Sequence, residues 1–127
     1  MAPNDFDGGS FHPGKPGLKK LLGELEADIM QLVWAHEADA VTVREIHERL
    51  QETRRIAYTT VMTVMGNLAK KGLLSVEPVG KAYAYRPTQS YEQFTEGAVS
   101  RIVEELLKDF TNPAIASFTR AMDQQRP

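Results

Sequence analysis

The residues whose types and spacing best suit chemistry on a partner lie between Ala57 and Gly72, A-Y-T-T-V-M-T-V-M-G-N-L-A-K-K-G. At about 3.6 residues per turn, Val61, Val64, Met65 and Leu68 fall on one face of a helix. Tyr58, Thr59, Met62, Thr63, Gly66, Asn67 and Lys70 fall on the other. The first set is an ordinary core stripe. The second is unusual for a solvent face, because it lacks acid, carries small hydroxyls and leads into the lysine pair Lys70-Lys71. Hydroxyls and methyl-rich surface suit base edges and thymine methyls, while lysines suit phosphate. Gly72 supplies the left-handed residue that stops the helix. This pattern predicts the recognition helix of a DNA-binding domain.

A helix of that kind must be positioned, and the chain has 127 residues with which to do so. That is enough for one small domain with an appendage. The net charge is −2, which argues against nucleic-acid binding if taken over the whole chain. The charge is unevenly placed, however. Residues 1–43 carry three basic and seven acidic side chains, residues 44–86 eight and four, and residues 87–127 four and six. The positive third contains the helix described above, and such asymmetry says more than the total. The absence of cysteine removes disulfides, thiolate metal sites and thiol nucleophiles together. No apolar run approaches the roughly 18 residues of a membrane span, and the N-terminus has no apolar export segment. A cytoplasmic chain without membrane insertion is the expectation.

Residues 1–17 are rich in Gly and Pro and lack an apolar period, which predicts a disordered N-terminal tail. A first helix is expected to start near Gly23, with Leu22, Leu25, Ile29, Leu32, Val33 and His36 at helical spacing and Trp34 broadening the apolar face. Thr42-Val43-Arg44-Glu45 is a capping box that starts a second helix, with Val41 and Ile46 placed as a hydrophobic staple. The third helix follows after a short turn, which gives a helix-turn-helix. Its start lacks a side-chain cap, because Ala57 has no acceptor. After Gly72 the period changes to two. Leu73–Glu77 and Lys81–Arg86 read as strands joined by Pro78-Val79-Gly80, with Tyr83 and Tyr85 on one face. Three helices and a hairpin make a winged helix over residues 18–88, with Lys81 at the tip of the wing, placed for the sugar-phosphate backbone. A hairpin that only closes the core is the alternative.

Residues 89–127 read as a helical dimerisation region. Ser90 and Gln93 form a second capping box. Phe94, Ala98, Ile102, Leu106 and Phe110 then recur every fourth residue, with Val99, Val103 and Leu107 beside them. Asn112-Pro113 reads as an N-cap followed by a proline at the first helical position, opening a fifth helix with Ile115, Phe118 and Met122 on one side. This segment carries more apolar surface than it can bury alone. A second copy of the chain would cover it, and a two-fold pair suits a helix-turn-helix that reads two half-sites.

Four stretches carry a resemblance to a known family: Leu22–Trp34 (LGELEADIMQLVW), Thr42–Ile46 (TVREI), Ala57–Leu74 (AYTTVMTVMGNLAKKGLL) and Gly80–Pro87 (GKAYAYRP). In this order they resemble the penicillinase repressor (BlaI/MecI) family of winged-helix regulators, over about residues 20–120. The resemblance implies a mainly α protein with a small β-hairpin wing. It also implies a homodimer that binds a double-stranded, inverted-repeat operator and represses β-lactamase or other resistance genes. Thr59, Thr60 and Thr63 would face bases, and Lys70, Lys71 and Lys81 would meet phosphate. The family's derepression by a membrane-bound, penicillin-sensing metalloprotease receptor implies a cut in the C-terminal region. Three departures accompany the match. Asn67 stands where many relatives have a basic residue, Ser117-Phe118 stands where protease-regulated relatives have Asn-Phe, and the chain ends soon after the fifth helix. The copper-responsive branch carries a C-terminal cysteine cluster, which this chain lacks.

Two other classes of function are compatible with these residues. One is a winged-helix module that docks an acidic protein partner. The other is a regulator sensing a small-molecule ligand in the apolar dimer region. An enzyme is not expected, since no Ser, His and Asp stand in a nucleophile or acid–base arrangement. His36 and His47 lack a third ligand at metal spacing, so neither a metal nor another cofactor is expected.

Overall fold

A computed structural model describes residues 11–126. The first ten residues of the expected N-terminal tail therefore lie outside the described residues. From Phe11 onward the chain is engaged: the His12 N–H donates to the Lys20 carbonyl at 2.6 Å, and Lys15 pairs with Glu24 at 3.0 Å. A single 3-10 turn at Gly17–Lys20 then buries Leu18.

Helix α1 (Glu24–Ala35) starts at Gly23, whose N–H donates to the Glu26 carboxylate at 3.1 Å. It buries Ala27, Ile29, Met30 and Val33, while Leu25 and Leu32 are only partly covered. The apolar stripe therefore lies slightly to one side of the expected one. Helix α2 (Val43–Gln51) opens on the expected capping box. Thr42 N–H donates to Glu45 Oε1 at 2.9 Å, and Glu45 N–H donates to Thr42 Oγ1 at 3.1 Å. The two bonds satisfy backbone donors that a helix start leaves without partners. Val43, Ile46 and Leu50 form its buried side.

Helix α3 (Tyr58–Lys70) buries Val61, Met65 and Leu68 against this core and ends at Gly72, whose φ of 89° is the left-handed value expected. The first of the following strands runs two residues further than the sequence pattern indicates, the second is shifted by one residue, and the turn between them is tighter. Strand β1 (Leu74–Val79) pairs antiparallel with β2 (Ala82–Pro87), from Leu74 opposite Pro87 to Val79 opposite Ala82. Only Gly80 and Lys81 form the turn. Pro78 lies within β1 because a two-stranded sheet leaves each strand an outer edge where a missing N–H costs nothing. Tyr85 is buried at 7 % exposure, but Tyr83, two residues nearer the tip, is 61 % exposed, so a shared face does not give the two tyrosines a shared environment.

A third segment joins the wing. Val41 N–H donates to the Tyr85 carbonyl at 2.9 Å and Tyr85 N–H donates back at 2.8 Å, forming an antiparallel bridge. Val41, read from the sequence as a staple, thus also ties the start of α2 to β2.

Helix α4 (Tyr91–Asp109) opens on the second expected capping box, with Ser90 N–H to Gln93 Oε1 at 2.9 Å and Gln93 N–H to Ser90 Oγ at 3.0 Å. Phe94 departs from the expectation. It is 1 % exposed and its ring centroid lies 5.7 Å from that of Trp34, whose indole N–H donates to the Gln89 carbonyl at 2.9 Å. It belongs to the winged-helix core, not to an exposed stripe. The chain divides into two compact units between Thr95 and Glu96, within α4.

In the second unit, helix α5 spans Thr111–Gln125. It begins ahead of the expected Asn112 cap, with Phe110 as the only residue between it and α4. Thr111 folds its hydroxyl back on the Leu107 carbonyl, and Ala114 N–H already bonds the Phe110 carbonyl at 2.9 Å. Pro113 therefore sits third in the helix, where its missing N–H is again one that would have no partner. No residue of α5 is buried. No described helix is long and apolar enough to cross a membrane.

Candidate nucleic-acid interface

The sequence between Glu52 and Ala57 turns the chain from α2 into α3. It is held by Thr53 and Arg54 N–H groups bonded to the Leu50 carbonyl at 3.1 and 3.2 Å. Ala57 is the N-cap and makes no side-chain cap, as expected. The turn is braced from α2 instead. His47 Nε2 lies 2.8 Å from the Ile56 carbonyl, and the His47 and Tyr58 rings meet edge-to-face at 5.5 Å. A carbonyl only accepts, so Nε2 carries the proton.

Burial of Val61, Met65 and Leu68 fixes which side of α3 faces outward. Tyr58, Thr59, Thr60, Met62, Thr63, Asn67 and Lys70 are all exposed, while Val64 and Gly66 are half-buried. The helix carries no acidic side chain. Its outer surface is therefore a row of hydroxyls, one thioether and one amide leading to Lys70. That is the set of small donors, acceptors and methyl groups that base edges in a major groove present in complement.

The cations from α2 to the wing, residues 44–86, sort into two groups. Lys71 Nζ meets Glu26 Oε2 at 2.6 Å, Arg54 meets Asp28 at 2.9 Å, and Arg86 meets Glu77 at 2.9 Å. Arg44 and Arg49 pair along α2 with Glu48 and Glu52. Of the cations in this stretch, Arg55, Lys70 and Lys81 make no ion pair. Lys70 is exposed at the end of α3, and Lys81 is exposed in the turn at the wing tip. Lys71, expected beside Lys70 at phosphate, is instead half-buried and committed to α1. Arg55 was not singled out from the sequence. Adjacent Arg54 and Arg55 look alike in sequence, and only the fold reveals that Asp28 engages the first.

Two titrating groups are shifted near this site. The Glu45 carboxyl is held below its ordinary value of 4.5, chiefly by the Thr42 backbone N–H, with the Thr42 hydroxyl and His36 adding to the effect. Burial pushes the Tyr85 phenol up, with Tyr58 and Tyr83 contributing. No group of three or more His, Cys, Asp or Glu side chains among the described residues could hold a metal ion.

Of the residues expected to pair two chains, Phe94 is in the core, and Ala98, Ile102 and Leu107 are partly covered. Val103, Leu106, Phe110, Ile115, Phe118 and Met122 are exposed. Helices α4 and α5 of the second unit flank a groove of about 820 Å³ that includes Val103, Leu106, Leu107, Ile115, Ser117 and Phe118.

Comparison with known proteins agrees with this architecture. The model of the penicillinase repressor family matches residues 22–126. The transcriptional regulator BlaI of Mycobacterium tuberculosis is 40% identical over 76 residues, covering 60% of this chain and 54% of that protein. The penicillinase repressor of Bacillus licheniformis is 21% identical over 103 residues, covering 80% of this chain and 79% of that one. An uncharacterized 16.5 kDa protein of Latilactobacillus sakei is 31% identical over 81 residues, which is 64% of this chain and 54% of that one. The chain spans about half the length of the first of these relatives. A family match over residues 22–126, which runs through both units, leads to one conclusion: the chain belongs to the penicillinase repressor family.

Proposed function

We propose that the chain is a dimeric, sequence-specific transcriptional repressor that binds an inverted-repeat operator. The acid-free, hydroxyl-rich outer face of α3 carries this reading, since no fold requirement calls for Thr59, Thr60 and Thr63 to stand exposed together. In the proposed complex α3 lies in the major groove, with Thr59, Thr60, Met62, Thr63 and Asn67 toward base edges. Tyr58, Arg55 and Lys70 flank it at the backbone, and Lys81 at the wing tip reaches the adjacent phosphates. Two copies associate through the exposed apolar residues of α4 and α5, from Val103 to Met122. Val103, Leu106 and Phe110 on α4, and Ile115, Phe118 and Met122 on α5, recur at three- to four-residue spacing and are all exposed, unlike single scattered apolar side chains. The names of the relatives point to control of β-lactamase or other resistance genes.

Release from DNA would follow cleavage near Ser117-Phe118 by a membrane-bound, penicillin-sensing metalloprotease receptor. Both residues are exposed on α5, so local opening of that helix would have to precede the cut. Gel-shift titration with specific and scrambled duplexes tests DNA reading, and sedimentation at micromolar concentration tests pairing. A monomer without preference for any duplex would defeat both.

A further inference from the structure

We infer that His47 is the positioning residue of α3: it braces a helix start that has no side-chain cap and fixes the angle at which Thr59 and Thr63 are presented. A helix start normally gains a side-chain acceptor from its N-cap residue. Ala57 supplies none. Thr60 and Val61 N–H groups meet the Ala57 carbonyl at 3.1 and 3.3 Å at the start of α3. His47 grips the chain on both sides of that weak start. Its Nε2–H holds the Ile56 carbonyl at 2.8 Å, just before the N-cap, and its ring packs edge-to-face on Tyr58 at 5.5 Å, just after it.

The hydrogen bond is the main restraint, because the Ile56 carbonyl leads directly into the first turn and pinning it limits rotation of that turn about the α3 axis. The ring contact with Tyr58 adds to it. Thr59 lies in that turn, with Thr63 one turn further along the same face. Buried Val61, Met65 and Leu68 hold the remainder of α3 in place, but they begin only at its fourth residue. The imidazole itself is partly covered, and its partners are the Ile56 carbonyl and the Tyr58 ring, so it acts through the helix.

The inference rests on α3 being the DNA-reading element, and the test separates the two. His47→Phe keeps a ring and loses the donor; His47→Gln places an amide N–H where Nε2 stands and loses the ring. Each folded variant is read in two ways: hydrogen exchange of the Thr60 and Val61 amides without DNA, and the ratio of affinities for a selected duplex and a scrambled one. His47→Phe is expected to speed exchange at those amides and lower the ratio by about five- to tenfold, the effect of one lost hydrogen bond. His47→Gln is expected to recover most of both losses. Wild-type exchange and ratio in His47→Phe, or equal losses in both variants, would overturn the assignment. If the unmodified protein shows no preference between duplexes, the proposed function fails, and exchange in the free protein still decides the role of His47.

Discussion

Lys71 Nζ lies 2.6 Å from Glu26 Oε2, while the other oxygen of the same carboxylate accepts the Gly23 N–H at 3.1 Å. One carboxylate therefore caps the start of α1 and anchors the end of α3. The lysine that sequence places beside Lys70 as a phosphate ligand thus serves the fold. Lys71→Met is expected to lower stability by about 1.5–2 kcal/mol, at the low end of the range for a hydrogen bond to a charged group. Chemical denaturation followed through Trp34 fluorescence measures it. Affinity for DNA, measured on folded protein, should change far less than in Lys70→Ala.

The capping box of α2 makes a second prediction. Thr42→Ala should cost about 1 kcal/mol. Because the folded-state Glu45 carboxyl is held below 4.5, its contribution is complete above that value and is lost as pH falls through the lower, folded one. Comparing the acid-unfolding profiles of the parent protein and Glu45→Gln checks the sign. The stability difference should shrink on acidification, not grow.

Phe94 and Phe118 look interchangeable in the apolar repeat but differ sharply in burial, 1 % against 63 % exposed. Phe94→Ala is expected to destabilise the winged helix by about 3–5 kcal/mol. Phe118→Ala should leave the unfolding of that unit within about 0.5 kcal/mol, as for exposed sites generally. It should instead weaken self-association in sedimentation equilibrium.

Salt dependence separates the cations. If a dimer neutralises about six to eight phosphates, log affinity should fall against log salt with a slope of about −5 to −7. Removing Lys81 or Lys70 from both protomers should flatten that slope by about 2 each and weaken all duplexes alike. Arg54→Ala, whose guanidinium is paired with Asp28, should change the slope least.

Much of this fold was legible because its signals are local. The two capping boxes, Thr42 to Glu45 and Ser90 to Gln93, and the left-handed Gly72 are each set within four residues and required no tertiary information. The outer face of α3 was equally readable, since helical periodicity separates Val61, Met65 and Leu68 from the threonines. What escaped depends on distant partners. The Val41–Tyr85 bridge spans unrelated stretches, and a one-residue strand has no period. Phe94 continues the four-residue repeat of α4 without a break, and only its contact with Trp34 removes it from that repeat. Lys70 and Lys71 differ in role because they project from different sides of the end of α3, one toward solvent and the other toward Glu26. The start of α5 was displaced because Pro113 fits the third helical position as well as the first.

The most direct test selects duplexes from a random pool with the parent protein and with Thr63→Ala, then measures each against its enriched sequence. The account predicts an inverted repeat with half-sites about one helical turn, or a multiple of it, apart. It also predicts that Thr63→Ala loses about 1–2 kcal/mol on that sequence and relaxes preference at one base pair in each half-site. Enrichment of no sequence by the parent protein, or the same sequence bound equally well by Thr63→Ala, would contradict it.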